Sequence, residues 1–131
     1  MSASSPSFSS SSRIAAVSIL SANTARDGTG TLPTLATGAV GGSRIERIRA
    51  KAGVSTSAGM VRFFLFNDAG VFVHLFAELT VAAISASNTV KTWEGDLFYG
   101  SGQLFILPAN YTIRCGPSIG EAFTVAAYIT E

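Results

Sequence analysis

Residues 60–78 restrict the fold more than any other stretch of this chain. Met60–Phe66 and Val71–Glu78 are apolar runs of strand length, and Asn67-Asp68-Ala69-Gly70 between them has the composition of a hairpin loop built on a type I turn with glycine in the left-handed position. Both runs are apolar on both faces. Val61, Phe63 and Leu65 alternate with Met60, Arg62, Phe64 and Phe66, and Val71, Val73 and Leu75 alternate with Phe72, His74 and Phe76. Two adjacent strands of this kind need cover on both sides. One side is the core of a sandwich. The other is covered by a loop or by a second subunit, and a 131-residue chain with few long loops favours the subunit. The expected subunit interface is Phe64, Phe66, Phe72, His74 and Phe76.

The rest of the chain also reads as short strands between glycine-rich turns. Ile14–Ser21, Thr31–Thr37, Ile45–Ala52, Thr89–Glu94, Gln103–Leu107, Tyr111–Cys115 and Ala122–Thr130 are the further candidates. Pro33 argues for an edge position, because proline donates no ladder hydrogen bond. The last strand alternates cleanly, with Phe123, Val125, Ala127 and Ile129 on one face. Gly95, Gly100 and Gly102 mark a loop. Ile45-Glu46-Arg47-Ile48 has the spacing of one helical turn, but its flanking glycines favour strand. No segment carries a convincing 3.6-residue period, and no internal repeat is evident. The fold class is therefore all-β: a single antiparallel β-sandwich over residues 13–131. Strand order stays open between jelly-roll-like and immunoglobulin-like.

Residues 1–12 form a separate, extended N-terminal arm with eight serines, Pro6 and Phe8. Ordering twelve residues costs roughly 12–24 kcal/mol. Burial of Phe8 returns only about 1.5–3 kcal/mol. An ordered arm therefore implies main-chain pairing along a partner, with Pro6 and Phe8 as its adhesive residues.

Composition excludes several function classes. Charged residues make up 13% of the chain and the net charge is +1, which argues against electrostatic nucleic-acid binding and against global disorder. One cysteine, Cys115, leaves no internal disulfide and no Cys-rich zinc site. One histidine, His74, makes triad and metal chemistry hard to assemble, and its place between Phe72 and Phe76 suits a core or interface residue. The longest mostly apolar run, Val71 to Ile84, has 14 residues and contains His74 and Glu78, too short for a membrane span. A serine-rich start is a poor export signal, so the chain is expected to be soluble, uncleaved and made in a cytoplasm.

The remaining chemical motifs have plain structural readings. The carboxylates Asp27, Glu46, Asp68, Glu78, Glu94, Asp96, Glu121 and Glu131 are scattered without calcium-loop spacing. Gly28-Thr29-Gly30 lacks the third glycine and following helix of a phosphate loop, and reads as a turn. Arg44, Arg47, Arg49 and Lys51 form a small basic cluster, either a solvated sheet face or a partner-facing patch. Asn110-Tyr111-Thr112 fits a glycosylation triplet directly after a tight turn. No catalytic residue, cofactor site or metal site is expected, and the chain reads as non-enzymatic.

The run from Ser21 through Asn23, Arg26 and Asp27 to Gly30, the segment Gly42-Ser43-Arg44-Ile45-Glu46-Arg47-Ile48, and Thr56–Phe66 together resemble the small β-sandwich proteins encoded among the structural genes of tailed bacteriophages. Leu107-Pro108-Ala109-Asn110-Tyr111-Thr112-Ile113-Arg114 is similar to a turn common in jelly-roll domains, where glycine often stands in place of Asn110. The resemblance spans about residues 21–130 and implies a virion component with a jelly-roll-like sandwich. A capsid decoration, or cement, protein fits best. Such a protein commonly forms a homotrimer, sits on the virion capsid surface and stabilises the shell by binding the major capsid protein. The arm, with Pro6, Phe8 and Arg13, would be the docking element. Neither nucleic acid nor a membrane is an expected partner. Two alternatives stay open: another virion part (head fibre, neck or tail protein), or a carbohydrate-binding module using Trp93, Phe98, Tyr99 or Tyr111.

Overall fold

The computed structural model describes residues 12–98 and 105–131. The described residues contain no helix and form nine strands: β1 (Ser12–Ile19), β2 (Thr34–Thr37), β3 (Ser43–Ala52), β4 (Gly59–Phe66), β5 (Phe72–Val81), β6 (Glu94–Phe98), β7 (Phe105–Leu107), β8 (Thr112–Pro117) and β9 (Phe123–Thr130). They make two antiparallel sheets. Sheet A has the order β1-β9-β3-β6, with β7 also paired to β3, and sheet B has the order β2-β8-β4-β5. Since β9 holds one edge of β3, both β6 and β7 line the other. They are two parts of one edge, separated by residues 99–104.

The pairings nest. β4 pairs with β5, β3 with β6 and β7, β2 with β8, and β1 with β9. A single long hairpin turned at residues 67–70 would make the same pairs, and rolling it adds β3·β9 and β4·β8. The turn itself follows the sequence. Gly70 has φ 76° and donates to the Asn67 carbonyl at 3.0 Å, while Asn67 Oδ1 accepts from Ala69 and Val71. Asn110 likewise takes a left-handed φ of 65°, the conformation that asparagine tolerates and glycine prefers.

One apolar cluster spans both sheets, as in a β-sandwich. Ile45, Ile48 and Ala50 of β3 and Val125, Ala127 and Ile129 of β9 share it with Val61 and Phe63 of β4 and Ile113 and Cys115 of β8. Burying such side chains stabilises the fold by about 1.5–3 kcal/mol for each large one. The helix-like spacing of Ile45 and Ile48 has a β explanation: Ile45 pairs with Ile129 and Arg47 with Tyr128, so Glu46 is an extra bulged residue and both isoleucines still face inward.

Three strand expectations are corrected. Of the expected Thr31–Thr37, Thr34–Thr37 alone is strand, as β2. Thr89–Trp93 is not a strand; β6 begins at Glu94 and continues through Gly95, which was expected to mark a loop. A Cβ on Gly95 would stand 2.8 Å from the Trp93 ring, so this glycine makes room for the indole rather than a turn. The hairpin strand β5 runs on to Val81, three residues beyond the expected Glu78. Of the expected Gln103–Leu107 strand, Gln103 and Leu104 lie outside the described residues and Phe105–Leu107 is β7.

Candidate functional site

The outer face of sheet B holds the aromatic residues that the sequence marks as needing cover. On β4, Val61 and Phe63 enter the core, so Arg62, Phe64 and Phe66 point to the other side. They are nonetheless buried: Phe64 is 1% exposed, and Phe66 and Arg62 are each 5% exposed. Phe72 of β5 joins them, with ring centroids 6.2 Å from Phe64 and 5.9 Å from Phe66. The Arg114 guanidinium lies 4.0 Å over the Phe66 ring, a cation–π contact.

The cover is the chain's own segment 20–33, between β1 and β2. Asn23 donates to the Pro117 carbonyl at 2.8 Å, where the segment meets β8. Leu32 lies over Gly116, where a Cβ would come within 3.0 Å of its side chain. Arg26 reaches Glu78 of β5 at 3.5 Å. Gly28, at φ +81°, rests against Phe72 so closely that a Cβ would be 2.5 Å from the ring. The segment braces itself: Asn23 Nδ2 donates to the Thr29 and Thr31 carbonyls, and Asp27 Oδ1 accepts from the Thr29 amide and hydroxyl. Gly28-Thr29-Gly30 is thus a turn at the centre of a folded cover.

One ion pair lies under its margin. Arg62 Nε donates to Glu78 Oε2 at 2.7 Å, and this hydrogen bond is the main reason the Glu78 carboxyl titrates below the usual carboxylate range. Among the described residues, the buried side-chain nitrogen and oxygen atoms without a hydrogen-bond partner are Arg62 Nη1, Arg114 Nε and Thr112 Oγ1, all on this outer face. This outer face therefore buries polar groups at a cost that the described inner core does not carry.

The expected subunit-interface residues divide into two groups. Phe72 lies under Gly28, and Phe64 and Phe66 pack against Phe72 and are buried within the chain itself, so segment 20–33, which runs between β8 and β5, takes the place of the expected second subunit. His74 and Phe76 belong elsewhere, because two bulges in β5 break the alternation. Phe76 stacks on Phe63 and on Phe105 at 6.3 and 4.8 Å, on the core side, and exposed His74 stands edge-on to it at 6.3 Å.

Other sequence-marked residues have defined places. Arg13 is the second residue of β1; its guanidinium binds Glu131 at 2.8 Å and donates to the Thr37 carbonyl at 3.1 Å. Pro6 and Phe8 lie outside the described residues, as do residues 1–11 as a whole. Trp93 is buried, edge-on to Phe123 at 5.8 Å, and Tyr111 packs partly against the core. Neither forms an open sugar platform; Tyr99 and the side chain of Phe98 lie outside the described residues.

The outer face of sheet A is charged and open. Arg47 binds Asp96 at 2.9 Å, Arg49 binds Glu94 at 3.0 Å and Asp96 at 3.4 Å, and Lys51 binds Glu94 at 3.2 Å. Arg47, Arg49 and Lys51 of the basic cluster are therefore matched by acids on β6. Beside it, a shallow groove of about 390 Å³ lies over Ser12, Ile14, Tyr128 and Thr130.

The reactive groups are engaged in structure. Burial pushes the Cys115 thiol up to about 12, which keeps it protonated and unreactive at neutral pH. Glu131 is held low by Arg13 and Ser43, and Glu94 by Lys51 and Lys91. Glu121 accepts from the Ser57 amide and hydroxyl. Among the described residues no group of three His, Cys, Asp or Glu is placed to hold a metal ion, and no helix is long and apolar enough to cross a membrane. No protein-family model matches the chain, and no curated protein matches it in sequence.

Proposed function

We propose that this chain is a non-enzymatic structural component of a tailed-bacteriophage particle, in the form of a capsid decoration protein. The observation that carries the reading is the nested strand order: β1-β9-β3-(β6, β7) in one sheet and β2-β8-β4-β5 in the other. That order is what a rolled hairpin produces, and it supports a jelly roll, the architecture that the sequence resemblance implies. Fold alone does not assign function, so the surface chemistry matters. The carboxylates just described are held by structural partners, the thiol is buried, and the groove beside the charged face is shallow and open, all of which suits a binding protein better than a catalyst.

The mechanism is linkage. A protein that binds the mature shell and not its unexpanded precursor stabilises the mature form, and several docking elements engaged together multiply the effect. The serine-rich segment joins the sandwich at edge strand β1, which suits a docking element. Its occupancy of the shell is tested by deleting residues 2–11. The truncated chain should fold and lose shell binding; undiminished binding removes the arm from the mechanism. The function itself is tested by copy number, measured by quantitative mass spectrometry of purified particles against the major shell protein. A ratio near one, or a simple fraction of it, supports decoration. A few to some tens of copies would move the chain to a vertex, neck or tail, and absence from particles would end the virion reading.

A further inference from the structure

We propose that β1 is a strand-addition edge and that its occupant is the β1 of a second copy, paired antiparallel across a two-fold axis at Ala16. This goes beyond the particle reading and stands or falls separately from it.

Among the described residues the sandwich has four sheet edges, and three are guarded. β2 is four residues long, follows Pro33 and carries a register irregularity. β5 has two bulges. The edge made by β6 and β7 consists of two short strands and bears Glu94 and Asp96. Such devices keep edge strands from pairing with other chains. β1 has none of them. It pairs with β9 through eight unbroken positions and contains neither proline nor glycine. Its one charge is engaged inside the molecule, since Arg13 is bound by Glu131 and Thr37.

Among the described residues, the burial pattern marks β1 as an uncovered edge. Val125 and Ala127 of β9 are fully buried, yet their partners Val17 and Ala15, on the same inward face of β1, are only half-buried. On the outward side Ile14 and the following Leu20 are each 62% exposed. An added strand would cover the inward pair from the side and continue the sheet.

The sequence of β1 suits its own copy. Antiparallel partners must share a face, so a two-fold centred on Ala16 sets Ala15 opposite Val17, Ile14 opposite Ser18 and Ser12 opposite Leu20 of the second copy. Leu20 of the second copy then lies beside Ser12 and diagonal to Ile14, at the groove over Ser12, Ile14, Tyr128 and Thr130, and symmetry makes this contact twice. Arg13 faces Ile19, not another arginine. The resulting two-fold differs from the three-fold assembly that the family resemblance implies.

The test is analytical ultracentrifugation of the full chain from low to several hundred micromolar, with cysteine capture of the register. The expected result is a monomer–dimer equilibrium. Ile14→Lys or Leu20→Lys should weaken it about tenfold or more. Ala16→Cys should form a disulfide-linked dimer, while Ser18→Cys, which faces Ile14, and Val73→Cys, 46% exposed on β5 at the far edge of the other sheet, should do so far more slowly. Cys115 is buried and does not compete. If the lysine variants fail to fold, the cysteine capture decides alone. A monomer throughout the range, a trimer, or a dimer that Ala16→Cys does not capture overturns the proposal.

Discussion

On the outer face of sheet A, β3 presents Arg47, Arg49 and Lys51 to the acids of β6; on the outer face of sheet B, β4 presents Arg62, Phe64 and Phe66 to segment 20–33. Both strands alternate inward and outward residues, and both feed the same core. What differs is the next layer. Sheet A ends in a ladder of exposed ion pairs, while sheet B carries a third layer made of loop. A strand that is apolar on both faces therefore does not by itself demand a partner, provided a loop can come close enough. Gly28 and Gly116 give that closeness, one against Phe72 and one beneath Leu32.

The sharpest way to separate the two faces is substitution. Phe64→Ala, beneath the cover, should cost about 3–5 kcal/mol in denaturant unfolding. Glu78→Gln should cost about 1–3 kcal/mol, since it leaves buried Arg62 with a weaker partner. Glu78 has 34% of its side chain exposed, so screening keeps the cost below that of a fully buried pair. Replacing both residues, as Arg62→Met with Glu78→Gln, should recover part of the loss in a double-mutant cycle.

The same pair sets a pH signature. The folded carboxyl of Glu78 titrates below its unfolded value, so its contribution is complete above the unfolded carboxylate range and is lost as pH falls through the folded value. Acid should therefore destabilise the wild type more than Glu78→Gln in parallel melts. Gly28→Ala should cost about 1–2 kcal/mol, from strain at positive φ and contact with Phe72, and should raise dye binding to apolar surface. The smallest effect belongs to sheet A: Arg47→Ala should change stability by about 0.5 kcal/mol or less and lose even that in high salt.

Much of the fold was legible because the signals were local. The Asn67–Gly70 turn, the left-handed Asn110 turn and the alternation of β9 each depend on adjacent residues. The misplacement of β6 has a physical cause: Thr89–Trp93 has β-forming residues, but Trp93 turns into the core against Phe123, and pairing with β3 starts at Glu94. The bulges at Glu46 and in β5 were hidden, because an extra residue leaves no signature when its neighbours are also apolar or charged. Most consequential was segment 20–33. Its asparagine, aspartate and glycines read as turn, and nothing local says that the turn lies across sheet B, since its contacts with Gly116, Glu78 and Phe72 are distant in sequence.

The account rests most heavily on that segment covering β4 within a single chain. Hydrogen exchange followed at micromolar and at several hundred micromolar protein tests it directly. Protection of β4 and of residues 21–33 should be the same at both concentrations, with any concentration dependence confined to β1 and the adjoining Leu20. Protection of β4 that appears only as the chain self-associates would mean that another subunit, not the loop, covers Phe64 and Phe66.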